Sequence, residues 1–321
     1  MTRLSRGLQE LAESQGGAVT RQQALRSGLT AAEVRGRTDS GRWQRLYPGV
    51  FAVFTGSPGR MTTLWAAVLK SGPGAVLSHQ TATELAGLTY RSSELIHVTL
   101  PVSRHLASVP GLVLHRSARA VQDQHPAQSP PRTRIEPAVL DLSGLAQSFD
   151  DAFGWVSAAC ASRLTTPDRI LAAMSQRPRL RFRGQLQQAL GDVAGGVHTV
   201  LEYRYLRDVE RAHGLPEASR QVLAVRGGRT EYRDVQYREY RVLVETDGRQ
   251  AHPASARWRD AQRDNAAAAL GLITLRYSWA DVTLRACWVA EEVGQVLASR
   301  GWPGPLRRCG PRCLAATASA A

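Results

Sequence analysis

Glu245 stands inside a strongly apolar run, Val242-Leu-Val-Glu-Thr-Asp247. An ionised carboxylate in such a strand is costly unless a cation or hydrogen-bond donors meet it. A second strand-like stretch precedes it, and the two runs, Thr230–Tyr237 and Tyr240–Asp247, are joined at Arg238-Glu239. A direct turn there pairs Tyr237 with Tyr240, and therefore Asp234 with Leu243. Side chains alternate along a strand, so Leu243, Glu245 and Asp247 share a face, with Asp234 diagonal to Glu245 on it. Two or three carboxylates then converge at one end of a hairpin. The convergence depends on register, because a three-residue loop would flip one strand and separate them.

Carboxylates held this close repel unless a cation sits between them. A hard divalent ion with octahedral oxygen coordination, Mg2+ (or Mn2+), suits such a set, and the Thr246 carbonyl offers a further oxygen. Upstream, His198 to Gly214 reads as a helix closed by the glycine. It carries Glu202 three residues after Thr199, a capping-box position, so a structural and a catalytic role for Glu202 are both open. Asp247-Gly248 is likewise a common turn pair.

The charge balance points to a partner. Forty-one basic residues against 27 acidic ones give a net charge of +14, which favours a polyanion. All but one of the basic residues are Arg, the exception being Lys70. GC-rich codon usage accounts for the choice of Arg but not for the excess. The acids concentrate in residues 196–300, where 14 of them accompany 16 Arg.

A chain of 321 residues is about twice the usual domain length, so two or three domains are expected. With 43 % hydrophobic and 21 % charged residues, a wholly disordered, collagenous or disulfide-scaffold protein is excluded. The longest apolar run, Ala266 to Leu275, is half of what a membrane-spanning helix needs. The first residues carry both charge signs and lack the apolar core of a secretory signal. Four cysteines make no disulfide framework, so a reducing cytoplasm is the expected location.

Residues 1–56 read as three helices and a hairpin. Leu4 to Glu13 is amphipathic, and Thr20 caps a helix running to about Arg26. Ser27-Gly28-Leu29 is a tight turn, and Thr30-Ala-Ala-Glu33 is a capping box opening a helix with Arg35 and Arg37. Two β-rich runs, Trp43 to Tyr47 and Val50 to Phe54, surround Pro48-Gly49. Helix, short turn, basic second helix and hairpin is the order of a winged helix-turn-helix, whose second helix enters the major groove of DNA. The segment resembles the N-terminal winged-helix domain of AbiEi-type antitoxins of type IV toxin–antitoxin systems. The resemblance implies contacts to phosphates or base edges from Arg35, Arg37 and Arg42, with Arg45 at the wing.

Residues 57–195 mix helices with two strands, Ile96 to Leu100 and Leu112 to His115, and read as an α/β connector. His79, His97, His105, His115 and His125 show no metal-ligand spacing. The segment from 301 to 321 reads as a disordered tail in which Cys309 and Cys313 lack two further ligands.

Residues 196–300 carry a second resemblance. Asp234, ten intervening residues, Glu245-Thr-Asp247-Gly-Arg-Gln-Ala-His252, then Asp260-Ala-Gln-Arg263 and a final strand at Leu272–Trp279 resemble the PD-(D/E)XK nuclease superfamily. The closest likeness is to its very-short-patch-repair-related branch. This implies a restriction-endonuclease-like mixed sheet flanked by helices and divalent-metal cleavage of DNA. Asp234 and Glu245 would be metal ligands, and Glu202 would orient a water or complete the shell. Asp247 takes the place of the usual Lys, and an Asp cannot act as that cation. His252 as general acid or base and Arg263 facing the phosphate are the candidates to compensate. The expectation is thus an α+β multidomain endonuclease targeted by a winged helix. Its rival is a non-catalytic DNA-binding regulator or antitoxin-like protein on a degenerate nuclease fold.

Overall fold

A computed structural model describes residues 4–88, 93–226, 229–247, 262 and 264–315. The chain is mixed α+β and forms two compact units: residues 1–146 with 162–181, and residues 147–161 with 182–321. Among the described residues no helix is long and apolar enough to cross a membrane.

The first unit opens with α1 (Arg6–Ser14), β1 (Ala18–Thr20), α2 (Arg21–Arg26) and α3 (Ala31–Asp39), followed by the hairpin β2 (Gln44–Tyr47) and β3 (Val50–Ala52). Both helix starts read from the sequence are present. Thr20 and Gln23 form a reciprocal cap, as do Thr30 and Glu33, with the Thr30 N–H donating to Glu33 Oε2 at 2.8 Å. Strand β1 was not expected. It pairs with β3 to complete a three-stranded sheet in the order β1-β3-β2. Leu8, Val19, Ala24, Val34, Trp43 and Phe51 form the core beneath it.

Helix α4 (Arg60–Ser71) follows and is buried on two sides: Ala66 joins Ala18 and Val50, while Leu64, Ala67 and Val68 join a second sheet. That sheet is β4 (Val76–Leu77), β5 (Ile96–Pro101) and β6 (Leu112–Ser117), with β5 and β6 parallel. Helices α5 (His79–Leu85), α6 (Ile135–Leu145) and α8 (Pro167–Ser175) belong to the same unit. Ser78 at the start of α5 does not cap it through its hydroxyl. That oxygen is taken by Thr99 Oγ1 at 2.8 Å and by His79 Nδ1 at 2.9 Å.

Helix α7 (Phe149–Ala161) lies between α6 and α8 in the chain but belongs to the second unit. Its Phe149 and Phe153 pack on Tyr203, and Asp150 pairs with Arg204 at 2.5 Å. The unit continues through α9 (Arg183–Ala194) and α10 (Val200–Arg204), which runs on as a π-helical segment, Tyr205–Arg211. Its sheet has the order β10-β9-β8-β7, from β7 (Ser219–Arg226), β8 (Arg229–Tyr237), β9 (Val242–Asp247) and β10 (Ile273–Ser278). Strands β9 and β10 are parallel and the other neighbours antiparallel. The sheet, the π-helical segment and the C-terminal helices α11 (Trp279–Leu284) and α12 (Ala286–Ala298) enclose one core that includes Tyr205, Val235, Tyr237, Val242, Val244 and Val293.

The segment after residue 300, expected to be disordered, is seated on this core as far as Ala315. Leu306 is buried against Gly294, where even a Cβ would meet its Cδ1 at 2.9 Å. The Arg307 N–H donates to the His213 carbonyl at 2.7 Å. The Pro-, Gly- and Arg-rich composition hid one well-placed leucine. Truncating a buried leucine leaves a cavity. Leu306→Ala is therefore expected to destabilise the second unit by about 2–4 kcal/mol, read from its urea-unfolding midpoint. A change within error would mean that this segment is not part of the core.

Candidate functional site

Two places in the fold gather the residues singled out above. The first is the N-terminal module. Arg35 on α3, Arg42 after it and Arg45 on β2 are exposed and form no ion pair among the described residues. Arg37 differs: it is half-buried, with its guanidinium over the Trp43 ring 5.8 Å from the centroid. A stacked guanidinium still carries its charge but is held by the module's own core. The module therefore offers three solvated cations and one anchored one.

The second place is the hairpin of the second unit. Its register differs from the expected one. Tyr237 pairs with Val242, Gln236 with Leu243 and Val235 with Val244, so the connection spans four residues, 238–241. Arg241 takes a left-handed conformation, φ 56°, to close it. The reason is packing: Val242 and Val244 enter the core beside Val235 and Tyr237, whereas Tyr240 is only partly buried. A shift of two residues preserves the faces, and continuing the ladder by one step sets Asp234 opposite Glu245.

The acids do not meet across an open space there. The Asp234 carboxylate accepts the Thr246 N–H at 2.9 Å and the Thr246 hydroxyl at 3.2 Å. Glu245, 4 % exposed, lies 3.5 Å from a guanidinium nitrogen of Arg233, itself 7 % exposed. Glu202 caps its helix, accepting the His198 N–H at 2.8 Å and the Thr199 hydroxyl at 3.2 Å. Gln221 donates to it at 3.4 Å. That residue has φ 48° and interrupts the β7–β8 ladder opposite Asp234, between Arg220–Val235 and Val222–Arg233. Burial pushes the Glu202 carboxyl up to about 7, and the negative charge of Asp234 adds to the rise while the His198 N–H opposes it. Strand β9 ends at Asp247, whose backbone pairs with Ser278 of β10. His252 and Arg263 lie outside the described residues.

Glu202, Asp234 and Glu245 are thus neighbours, but their oxygens do not all fall within 4.8 Å of one another. A guanidinium and polar N–H and O–H groups meet them instead. In this arrangement the three acids do not fit Mg2+ or Mn2+ without displacing Arg233. Sequence reasoning passed over Arg233 although it adjoins Asp234. The signal was a cation inside a strand that must also bury a carboxylate.

Another gathering was missed in the first unit. His79, His97 and His115 come together, with the His79 and His115 rings stacked at 3.6 Å and His97 Nδ1 3.0 Å from His115 Nε2. Burial, then the mutual charge, pushes His79 down to about 3 and His115 to about 4, which keeps both neutral. Only the parallel pairing of β5 with β6 brings His97 and His115 to adjacent strands.

A family model described as "Transcriptional regulator, AbiEi antitoxin" matches residues 6–53. This stretch spans α1 to the end of the wing, the portion whose resemblance the sequence suggested. No curated protein matches the chain.

The raised Glu202 has a measurable consequence. Its folded-state value near 7 against 4.5 for an ordinary glutamate means that the folded chain holds the proton more tightly. Stability from this group is full below pH 4.5 and declines as pH rises to about 7, by at most about 3 kcal/mol. Glu202→Gln keeps an acceptor for His198 and should remove that decline. Urea midpoints of both proteins between pH 4.5 and 7.5 check it; parallel curves would refute the buried proton.

Proposed function

We propose that this chain is a DNA-binding transcriptional regulator of the antitoxin kind, which docks α3 in the major groove and lays the β2–β3 wing along the backbone. One coincidence carries the reading: the stretch matched by the regulator family, residues 6–53, is also the one that folds as a winged module with Arg35, Arg42 and Arg45 exposed. The net charge of +14 supplies the long-range attraction. On this reading the second unit is a nuclease-like sheet retained as a scaffold, its acids neutralised by Arg233 and by hydrogen-bond donors.

A second reading, a metal-dependent endonuclease, is favoured by one observation. Glu202 lies within electrostatic reach of Asp234, beside the strand that holds Glu245. It requires Arg233 to leave Glu245 so that Asp234 and Glu245 hold Mg2+ or Mn2+. Asp247, His252 and Arg263 would then complete the site.

Fluorescence anisotropy with labelled duplex DNA tests the first reading. Replacing Arg35, Arg42 and Arg45 together by Ala should weaken binding at every salt concentration. The slope of log affinity against log salt should fall by about one unit for each Arg that meets a phosphate. Absence of binding at low salt, or an unchanged slope, would remove the proposal.

Incubation of duplex, nicked and single-stranded DNA with Mg2+ or Mn2+ separates the two readings. The regulator leaves all substrates intact. Metal-dependent product that disappears in Asp234→Ala establishes the nuclease.

A further inference from the structure

The second unit brings together four side chains that no sequence spacing connects. His213 follows the π-helical segment, Cys287 opens α12, and Cys309 and Cys313 sit on the segment after it. Their ligand atoms all lie within 4.8 Å of one another. Cys287 Sγ is 3.6 Å from Cys309 Sγ and 3.8 Å from Cys313 Sγ, and the cysteines are free thiols. A disulfide needs about 2.05 Å. Zinc–sulfur bonds of about 2.3 Å at tetrahedral angles instead place sulfurs about 3.8 Å apart.

The histidine supplies an independent observation. His213 is fully buried, and its Nε2 is a buried polar atom with no hydrogen-bond partner. Its Nδ1 lies 3.1 Å from the Val209 carbonyl. That contact selects the tautomer with the proton on Nδ1 and leaves the Nε2 lone pair beside the three thiols. A backbone carbonyl holding the far nitrogen is the usual support of a metal-bound imidazole. An orphaned acceptor at 0 % exposure is otherwise costly.

From these two observations we infer that His213, Cys287, Cys309 and Cys313 form a structural zinc site. Three sulfurs and one imidazole nitrogen are a donor set suited to Zn2+. Four protein ligands close the coordination sphere and leave no position for substrate, so the site is structural. Three thiolates around a divalent ion leave one net negative charge, which the neighbouring Arg307, Arg308 and Arg312 offset. Arg308 donates to the Cys313 carbonyl at 3.1 Å, and Cys313 N–H to the Gly310 carbonyl at 3.0 Å, which folds Cys309-Gly-Pro-Arg-Cys313 into a compact turn. The site ties the end of the stretch formed by α10 and the π-helical segment to the unit's last described segment. It also explains how a Pro- and Gly-rich segment is held in place. Cys309 and Cys313 carry no weight by spacing alone, because the other two ligands lie 26 and 100 residues before Cys313.

The test is metal analysis of the full-length protein, expressed in zinc-supplemented medium and purified under reducing conditions without chelator. About one zinc per chain is expected. The content should fall about tenfold or more in a Cys309→Ser/Cys313→Ser variant and stay unchanged in Cys160→Ser, whose thiol lies on α7. Cobalt loading should give thiolate-to-cobalt charge-transfer and tetrahedral d–d bands, absent from the double variant. Wild-type protein without zinc overturns the site, as does a Cys287–Cys309 disulfide peptide in its place. Zinc content that survives the double substitution overturns it equally. The wild-type measurement decides the matter even if the double variant does not fold.

Discussion

A buried carboxylate must be matched where it stands, and the second unit is organised around that requirement. Three glutamates, Glu202, Glu210 and Glu245, are nearly inaccessible, and each finds a different solution. Glu210 pairs with Arg220 at 2.7 Å and also accepts the Tyr237 hydroxyl, which lies 3.0 Å from that of Tyr205. Glu245 has Arg233. Glu202 has backbone and side-chain donors and a raised proton affinity. Ion pairs of this kind add little net stability over an apolar core of equal shape, but removing one member leaves an isolated charge and costs several kcal/mol. The pairs therefore fix which strands and helices can lie together. They also bear on function, since an acid neutralised by an arginine is a poor metal ligand.

Local signals were legible in the sequence wherever the deciding contact was near in the chain. The reciprocal caps at Thr20 and Gln23 and at Thr30 and Glu33 and the hairpin at Pro48-Gly49 all rest on contacts within a few residues. The hairpin of the acids was half legible. Alternation set the face of Glu245, but the register followed from Val242 and Val244 filling a distant core, and the turn grew to four residues. Arg233 illustrates the remainder. Its partner is twelve residues away on another strand, and only the pairing of β8 with β9 shows that it neutralises Glu245.

The histidine trio, the cysteines and the segment after residue 300 escaped for the same reason at longer range. His79 and His115 are 36 residues apart, and Leu306 reaches Gly294 only because the chain turns back over α12. Composition described that segment as loose, but an apolar side chain in a prepared notch and a backbone hydrogen bond help to seat it. Chemistry carried by residues far apart in sequence is invisible until topology is known.

The chain passes between its two units three times, after Ala146, after Ala161 and after Arg181, because α7 belongs to the later unit while α8 belongs to the earlier one. No single break separates the molecule into two self-sufficient halves. A fragment stopping at Ala146 forfeits α8, and one stopping at Arg181 carries α7 along, with Phe149 and Phe153 deprived of Tyr203. The two units are therefore not detachable cassettes: recombination that exchanged one for the other at a simple junction would damage both.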